Sequence, residues 1–146
     1  MAGVTLAKSM TAQPEDGDYE SLALFRYRLR RFLRFSKELL AAEASLTPEQ
    51  YEALLALKAF STAHGLLVGE LSERLQVKHH TGVSLTDKLV HRRLVTRKRG
   101  ASDRRRVYVK LTAAGAALVA RLARLHRDEL RARSAELIAA LQAVQK

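Results

Sequence analysis

Between Arg92 and Arg106 the chain sets eight cations, Arg92, Arg93, Arg97, Lys98, Arg99, Arg104, Arg105 and Arg106, against a single carboxylate, Asp103. Cations at that density repel one another unless an anion lies among them, so the run reads as a footprint for phosphate. Immediately upstream, a helix drawn through residues 79–92 puts Gly82, Leu85, Thr86 and Leu89 on one side at 100° per residue. The opposite side carries His80, Ser84, Asp87 and His91, flanked by Thr81 and Lys88. A stripe serving packing alone has no need of such a mixture of donors and acceptors beside a basic run. Side chains on the first turns of such a helix reach base edges in a major groove, which singles out His79, His80, Thr81, Ser84 and Lys88.

Other chemistry finds little support. The chain has no cysteine, which removes thiolate catalysis, disulfides and Cys-ligated zinc. Its five histidines, at 64, 79, 80, 91 and 126, form no dense ligand cluster, and adjacent His79 and His80 diverge on a helix. Phosphate-cradling loops, dinucleotide fingerprints, zinc-protease motifs and serine elbows are all missing from the sequence. The expectation is a protein that is not an enzyme, with no catalytic residues, no metal and no cofactor. No stretch approaches the roughly 20 apolar residues of a membrane helix, and no secretory leader pattern opens the chain. A cytoplasmic protein with no membrane partner is expected.

The elements that position these residues follow from pattern. The chain has 146 residues, a formal net charge of +11 and 47% hydrophobic residues, about one domain's worth with enough apolar material for a core. Leu and Ala dominate and Ile occurs once, which favours helix over strand. Residues 1–18 sum to −2 without periodicity and read as a loosely ordered tail. Residues 19–44 form a helix with Leu22, Phe25, Leu29, Phe32, Leu33 and Leu40 at spacings of three and four. Thr47-Pro48 with Gln50 three residues after the threonine is a capping box that opens a second helix, running to about Phe60. A short helix near Gly69–Leu75, a connection at Gln76–Lys78 and the helix from His79 make a helix-turn-helix unit. Leu94–Lys98 and Arg106–Leu111 then flank a turn at Gly100–Asp103 as a hairpin. Thr112 caps a long Ala/Leu/Arg segment over 112–146, whose periodicity slips between His126 and Arg133 and so predicts a bend or break there. The predicted fold is mainly α with a small β-hairpin.

The segment from Leu71 to Leu111, LSERLQVKHHTGVSLTDKLVHRRLVTRKRGASDRRRVYVKL, resembles the MarR family of winged helix-turn-helix regulators. The likeness spans about Leu46–Gly115 and is strongest over Asp103-Arg104-Arg105-Arg106, the alternating Val107-Tyr108-Val109-Lys110, and Leu111-Thr112-Ala113-Ala114-Gly115. Two departures stand out: Lys78-His79 in place of the family's usual capping pair, and Arg93 where relatives commonly place glycine. The resemblance implies a winged helix-turn-helix lobe over 45–111 and dimerisation helices at 19–44 and 112–146. It implies a homodimer that binds double-stranded DNA at a pseudo-palindromic operator as a transcriptional regulator, most often a repressor. Arg97, Arg99, Arg104, Arg105 and Arg106 would then form the DNA-binding wing, with Arg105 entering the minor groove and Asp103 orienting it. A small aromatic effector is also implied. Phe25, Phe32, Tyr51 and Phe60 are candidates to line its pocket, although core packing explains them at least as well. The alternative function is an architectural, nucleoid-type DNA binder without an effector. An RNA-binding role has no aromatic-rich single-strand platform to support it.

Overall fold

The computed structural model describes residues 13–146. Eight elements follow in order: α1 (Asp16–Ala44), α2 (Pro48–Phe60), β1 (Leu66–Leu67), α3 (Val68–Leu75), α4 (His79–His91), β2 (Val95–Arg99), β3 (Val107–Leu111) and α5 (Ala113–Val144). The three strands form one antiparallel sheet in the order β1-β3-β2. Leu54, Leu57, Leu71, Leu89, Val95 and Val109 fill the lobe's core, while Leu40 and Leu122 extend it between α1 and α5.

Local chemistry explains the boundaries. Residues 1–12 of the expected tail lie outside the described residues, and α1 begins at Asp16, three residues before the expected Tyr19. The reason is acidic: Asp16 and Asp18 favour the positive end of a helix, and the Glu15 N–H donates to the Asp18 carboxylate at 2.9 Å. At α2, the Thr47 N–H donates to Gln50 Oε1 at 2.9 Å and Thr47 Oγ1 accepts from the Gln50 N–H at 3.2 Å, which closes the capping box. The two-residue strand β1, which the sequence reading passed over, pairs Leu66 with Val109 and Leu67 with Tyr108.

The expected break near His126 does not occur, for α5 is one continuous helix. The buried stripe continues through polar residues. After Val119 and Leu122 it passes to His126, half-buried Glu129 and Leu137 before buried Ala140, and Arg133 pairs with Glu129 one turn away at 3.5 Å. His126 is itself buried. Its Nδ1 lies 2.7 Å from the Leu122 carbonyl, which has no proton to give, so Nδ1–H is the donor. In the neutral ring Nε2 then accepts from the Ser36 hydroxyl of α1 at 2.8 Å. The imidazole stacks on Tyr51 of α2 at 4.4 Å, with Phe32 and Phe35 edge-on. One side chain thus joins three helices.

Where α4, the hairpin and α5 converge, backbone space is the constraint. Arg93 takes the left-handed conformation at φ 58°, which accounts for a glycine preference at this position. A Cβ on Gly115 would stand 2.0 Å from the Leu94 carbonyl oxygen. Gly115→Ala is therefore expected to cost about 2 kcal/mol or more, whereas Arg93→Gly is expected to add up to about 1 kcal/mol. Ser36→Ala, which strips the buried Nε2 of its donor, is expected to cost about 1–3 kcal/mol. Urea unfolding of the three variants checks all three signs.

Candidate nucleic-acid interface

The candidate surface starts with a close helix crossing. A Cβ on Gly82 of α4 would meet Ser72 Oγ of α3 at 1.9 Å, so the absence of a side chain lets the two helices approach. Ser72 Oγ donates instead to the Val68 carbonyl, and Thr86 Oγ1 to the Gly82 carbonyl, each at 2.8 Å. Gln76 makes the turn at φ 54° while its side-chain amide holds Glu73, at 2.8 Å to the carbonyl. With Gly82, Leu85, Thr86 and Leu89 buried, α4 turns the other face outward. His79, His80, Thr81, Ser84 and Lys88 are all exposed on it.

The hairpin stands beside α4. Its register pairs Val95 with Leu111, Arg97 with Val109 and Arg99 with Val107, and the Gly100 N–H donates to the Arg106 carbonyl at 2.8 Å to close the tip. At that tip Asp103 grips Arg105 three ways. Its Oδ1 accepts from the Arg105 backbone N–H at 3.0 Å and from Nε at 3.2 Å, and its Oδ2 accepts from Nη2 at 3.3 Å. The Arg105 side chain is 92% exposed, so the pair adds little to stability but sets where the guanidinium points. Hydrogen bonds from the Arg105 side chain and then its backbone hold the Asp103 carboxyl below its ordinary range. The pair is thus intact at neutral pH and is lost only as pH falls through that lowered value.

The other wing cations divide by task. Arg97 sits mid-strand and forms an ion pair with Asp87 of α4, which braces the hairpin against the helix. Asp87, grouped by the sequence reading with the outward polar face, is therefore engaged internally. Arg99 reaches back to the Arg104 carbonyl at 3.3 Å, and the Arg106 guanidinium lies 5.8 Å from the Tyr108 ring centre. Arg92, part of the same basic run, donates to the Ala44 and Ser45 carbonyls at 2.7 and 2.9 Å and so ties off the end of α1. A cleft of about 290 Å³ separates α4 from the hairpin, with His79, Val83, Arg97 and Arg105 among its walls.

The four aromatic candidates do not converge. Phe32 and Tyr51 meet around His126, whereas Phe60 lies exposed at the end of α2 beneath the Arg74 guanidinium, 3.5 Å away. Phe25 is half-buried on α1 and joins neither group. The sequence reading missed His126 and Ser36, whose partners lie 90 residues apart. Among the described residues no three His, Asp or Glu side chains gather as a metal site, and no helix is long and apolar enough to cross a membrane.

Comparison with known proteins agrees with this geometry. The family model described as MarR family matches residues 44–106, which cover the end of α1 through the wing tip. No curated protein matches the chain in sequence. Among solved structures, AbsC, a MarR family transcriptional regulator from Streptomyces coelicolor, superposes with a TM-score of 0.75 at 20% identity, over 87% of this chain and 84% of its own. That likeness bears on the fold. The transcriptional repressor CouR, solved on a 23-mer DNA duplex, is 29% identical with a TM-score of 0.68, over 92% of this chain and 100% of its own. MepR from S. aureus, solved as a DNA complex, is 25% identical with a TM-score of 0.70, over 80% and 83%. Fold, motif and matched segment coincide in their likeness to the MarR family of winged helix-turn-helix transcriptional regulators.

Proposed function

We propose that the protein is a homodimeric repressor that binds a pseudo-palindromic operator in duplex DNA and is released by a small aromatic effector. The observation that carries this is the outward polar face of α4, set beside a wing whose tip arginine is already oriented by Asp103. His79, His80, Thr81, Ser84 and Lys88 would face base edges in the major groove. Arg99, Arg104, Arg105 and Arg106 would follow the flanking phosphates and minor groove, with Arg97 bracing them. CouR and MepR, both solved on DNA, support the choice of partner.

Dimerisation is supported by uncovered apolar surface. Among the described residues, the large exposed hydrophobic side chains are, apart from Leu55 and Phe60, all on α1 and α5, and include Tyr19, Tyr27, Leu33, Ile138 and Leu141. Residues 19–44 and 112–146 would interleave with a second copy and place two α4 helices in successive major grooves about 34–36 Å apart. For a small aromatic effector the candidate place is a cleft of about 180 Å³ between α1 and α5, where Phe32 and Phe35 adjoin Arg31, while Arg28 and Arg133 in the same lining are paired with Glu136 and Glu129. Such a ligand would act by favouring a lobe separation that does not fit the operator, a shift of population without a chemical step.

Selection of binding sites from random duplex DNA tests the proposal. His80→Ala and Ser84→Ala are each expected to change the preferred bases and to cost about 1–3 kcal/mol on the best site, leaving random DNA almost unaffected. Equal losses on all sequences would mean that α4 faces phosphate. Arg105→Ala is expected to weaken preference for A·T pairs outside the half-sites. Asp103→Ala raises net positive charge yet is expected to bind the selected site more weakly, because the arginine loses its guide; tighter binding refutes that role. In sedimentation at micromolar concentration the wild type is expected to be a dimer. Leu33→Glu with Ile138→Glu is expected to give monomers that lose specific binding, and a wild-type monomer at that concentration contradicts the dimer.

A further inference from the structure

The wing has two faces, and the interface described above uses its edge, its tip and the face toward α4. In the β2–β3 register Thr96 stands opposite Lys110, and Lys98 opposite Tyr108. Directly opposed residues share a face of a ribbon, so these four lie together on the side away from Arg97 and Val107, which line the cleft against α4. The turn before β1 adds His64, whose ring is 6.0 Å from that of Tyr108. Lys110 Nζ donates to the Ala63 carbonyl at 3.1 Å, which fixes its ammonium at the rim without neutralising it. With Arg106 they line a concavity of about 380 Å³.

The charge of this face is not balanced among the described residues. Arg28, Arg97 and Arg121 are each matched to a carboxylate from another element, Glu136, Asp87 and Glu43 respectively. Among the described residues, Lys98, Arg106 and Lys110 form no ion pair, although all three are exposed on one concave surface. Asp103 also lines this concavity, but its carboxylate is held by Arg105.

We infer that the outer face of the wing is a second phosphate-binding surface, for the backbone of duplex DNA that flanks the half-site. The inference rests on the proposed DNA-reading role of α4, since with α4 in the major groove the outer face of the hairpin looks toward the duplex beyond the wing. Two ammonium groups, a threonine hydroxyl and a tyrosine, continuous with the Arg106 already assigned to the wing tip, make phosphate contacts that carry no base information. The surface therefore adds affinity and salt dependence while leaving the half-site preference untouched.

The test compares Lys98→Gln with Lys110→Gln in one chain against wild type, on two duplexes that carry the same selected site. One duplex ends at the half-sites and the other extends about ten base pairs further on each side. Wild type is expected to bind the longer duplex more tightly, and the variant to lose that advantage. The variant's salt slope on the longer duplex is expected to fall by about 0.9 for each phosphate contact removed. On the shorter duplex the two proteins are expected to bind alike with the same base preferences. A variant that keeps the wild-type advantage on the longer duplex, or a wild type that shows none, overturns the outer-face assignment alone. A wild type that selects no duplex sequence overturns the DNA-reading role and the outer face together.

Discussion

The interface depends on how four chain segments meet around the Leu94 carbonyl. That oxygen accepts the Thr112 N–H at 3.1 Å, while the Leu94 N–H donates to the Leu89 carbonyl at the end of α4 at 3.0 Å. Thr112 Oγ1 donates to the Arg93 carbonyl at 2.8 Å and accepts the Gly115 N–H at 3.0 Å. Four hydrogen bonds at about 1 kcal/mol each make a modest sum. The steric constraint is stronger, because Gly115 leaves room for the Leu94 oxygen that no side chain would allow. The end of α4, the base of the wing and the start of α5 are consequently one rigid joint. A helix of 32 residues leaves that joint and spans roughly 48 Å, so a small rotation there is a large displacement at its far end. In the proposed dimer this lever relates effector, helix spacing and DNA.

Charge is sorted by the same economy of space. The basic run serves three ends: Arg92 ties off α1, Arg97 locks the wing to α4, and the residues nearer the tip stay open to solvent. Exposed ion pairs such as Asp103–Arg105 contribute little to folding free energy. In the proposed DNA complex their value lies in removing orientations that a long, flexible side chain would otherwise sample before meeting a phosphate.

Much of this organisation was legible from the residues. The buried stripe of α4, the capping box at Thr47, the hairpin and the pairing of Asp103 with Arg105 all follow from local rules or from motif, and each is local in sequence. What escaped is long-range or polar. A two-residue strand has too little pattern to announce itself, and Leu66–Leu67 becomes one only because β3 offers an edge. The apparent break in α5 arises because His126 and Glu129 occupy its inner stripe, with exposed Arg133 paired to Glu129, and a hydrophobic count reads them as interruptions. His126 is tolerated there because Ser36, the Leu122 carbonyl and Tyr51 satisfy it, two of them on other helices. The aromatic candidates failed to converge for a similar reason, since residue type says nothing of which ring faces which.

On the function proposed above, a helix face and a wing, held in fixed relation by the joint at Leu94, read sequence in duplex DNA. A competition titration of the wild-type protein between its best selected duplex and random duplex of equal length, at physiological salt, tests this directly. A preference of about 10³-fold or more for the selected duplex is expected. A preference within about tenfold, with strong binding to both, would contradict it and identify the protein as an architectural binder that senses charge and shape without reading bases.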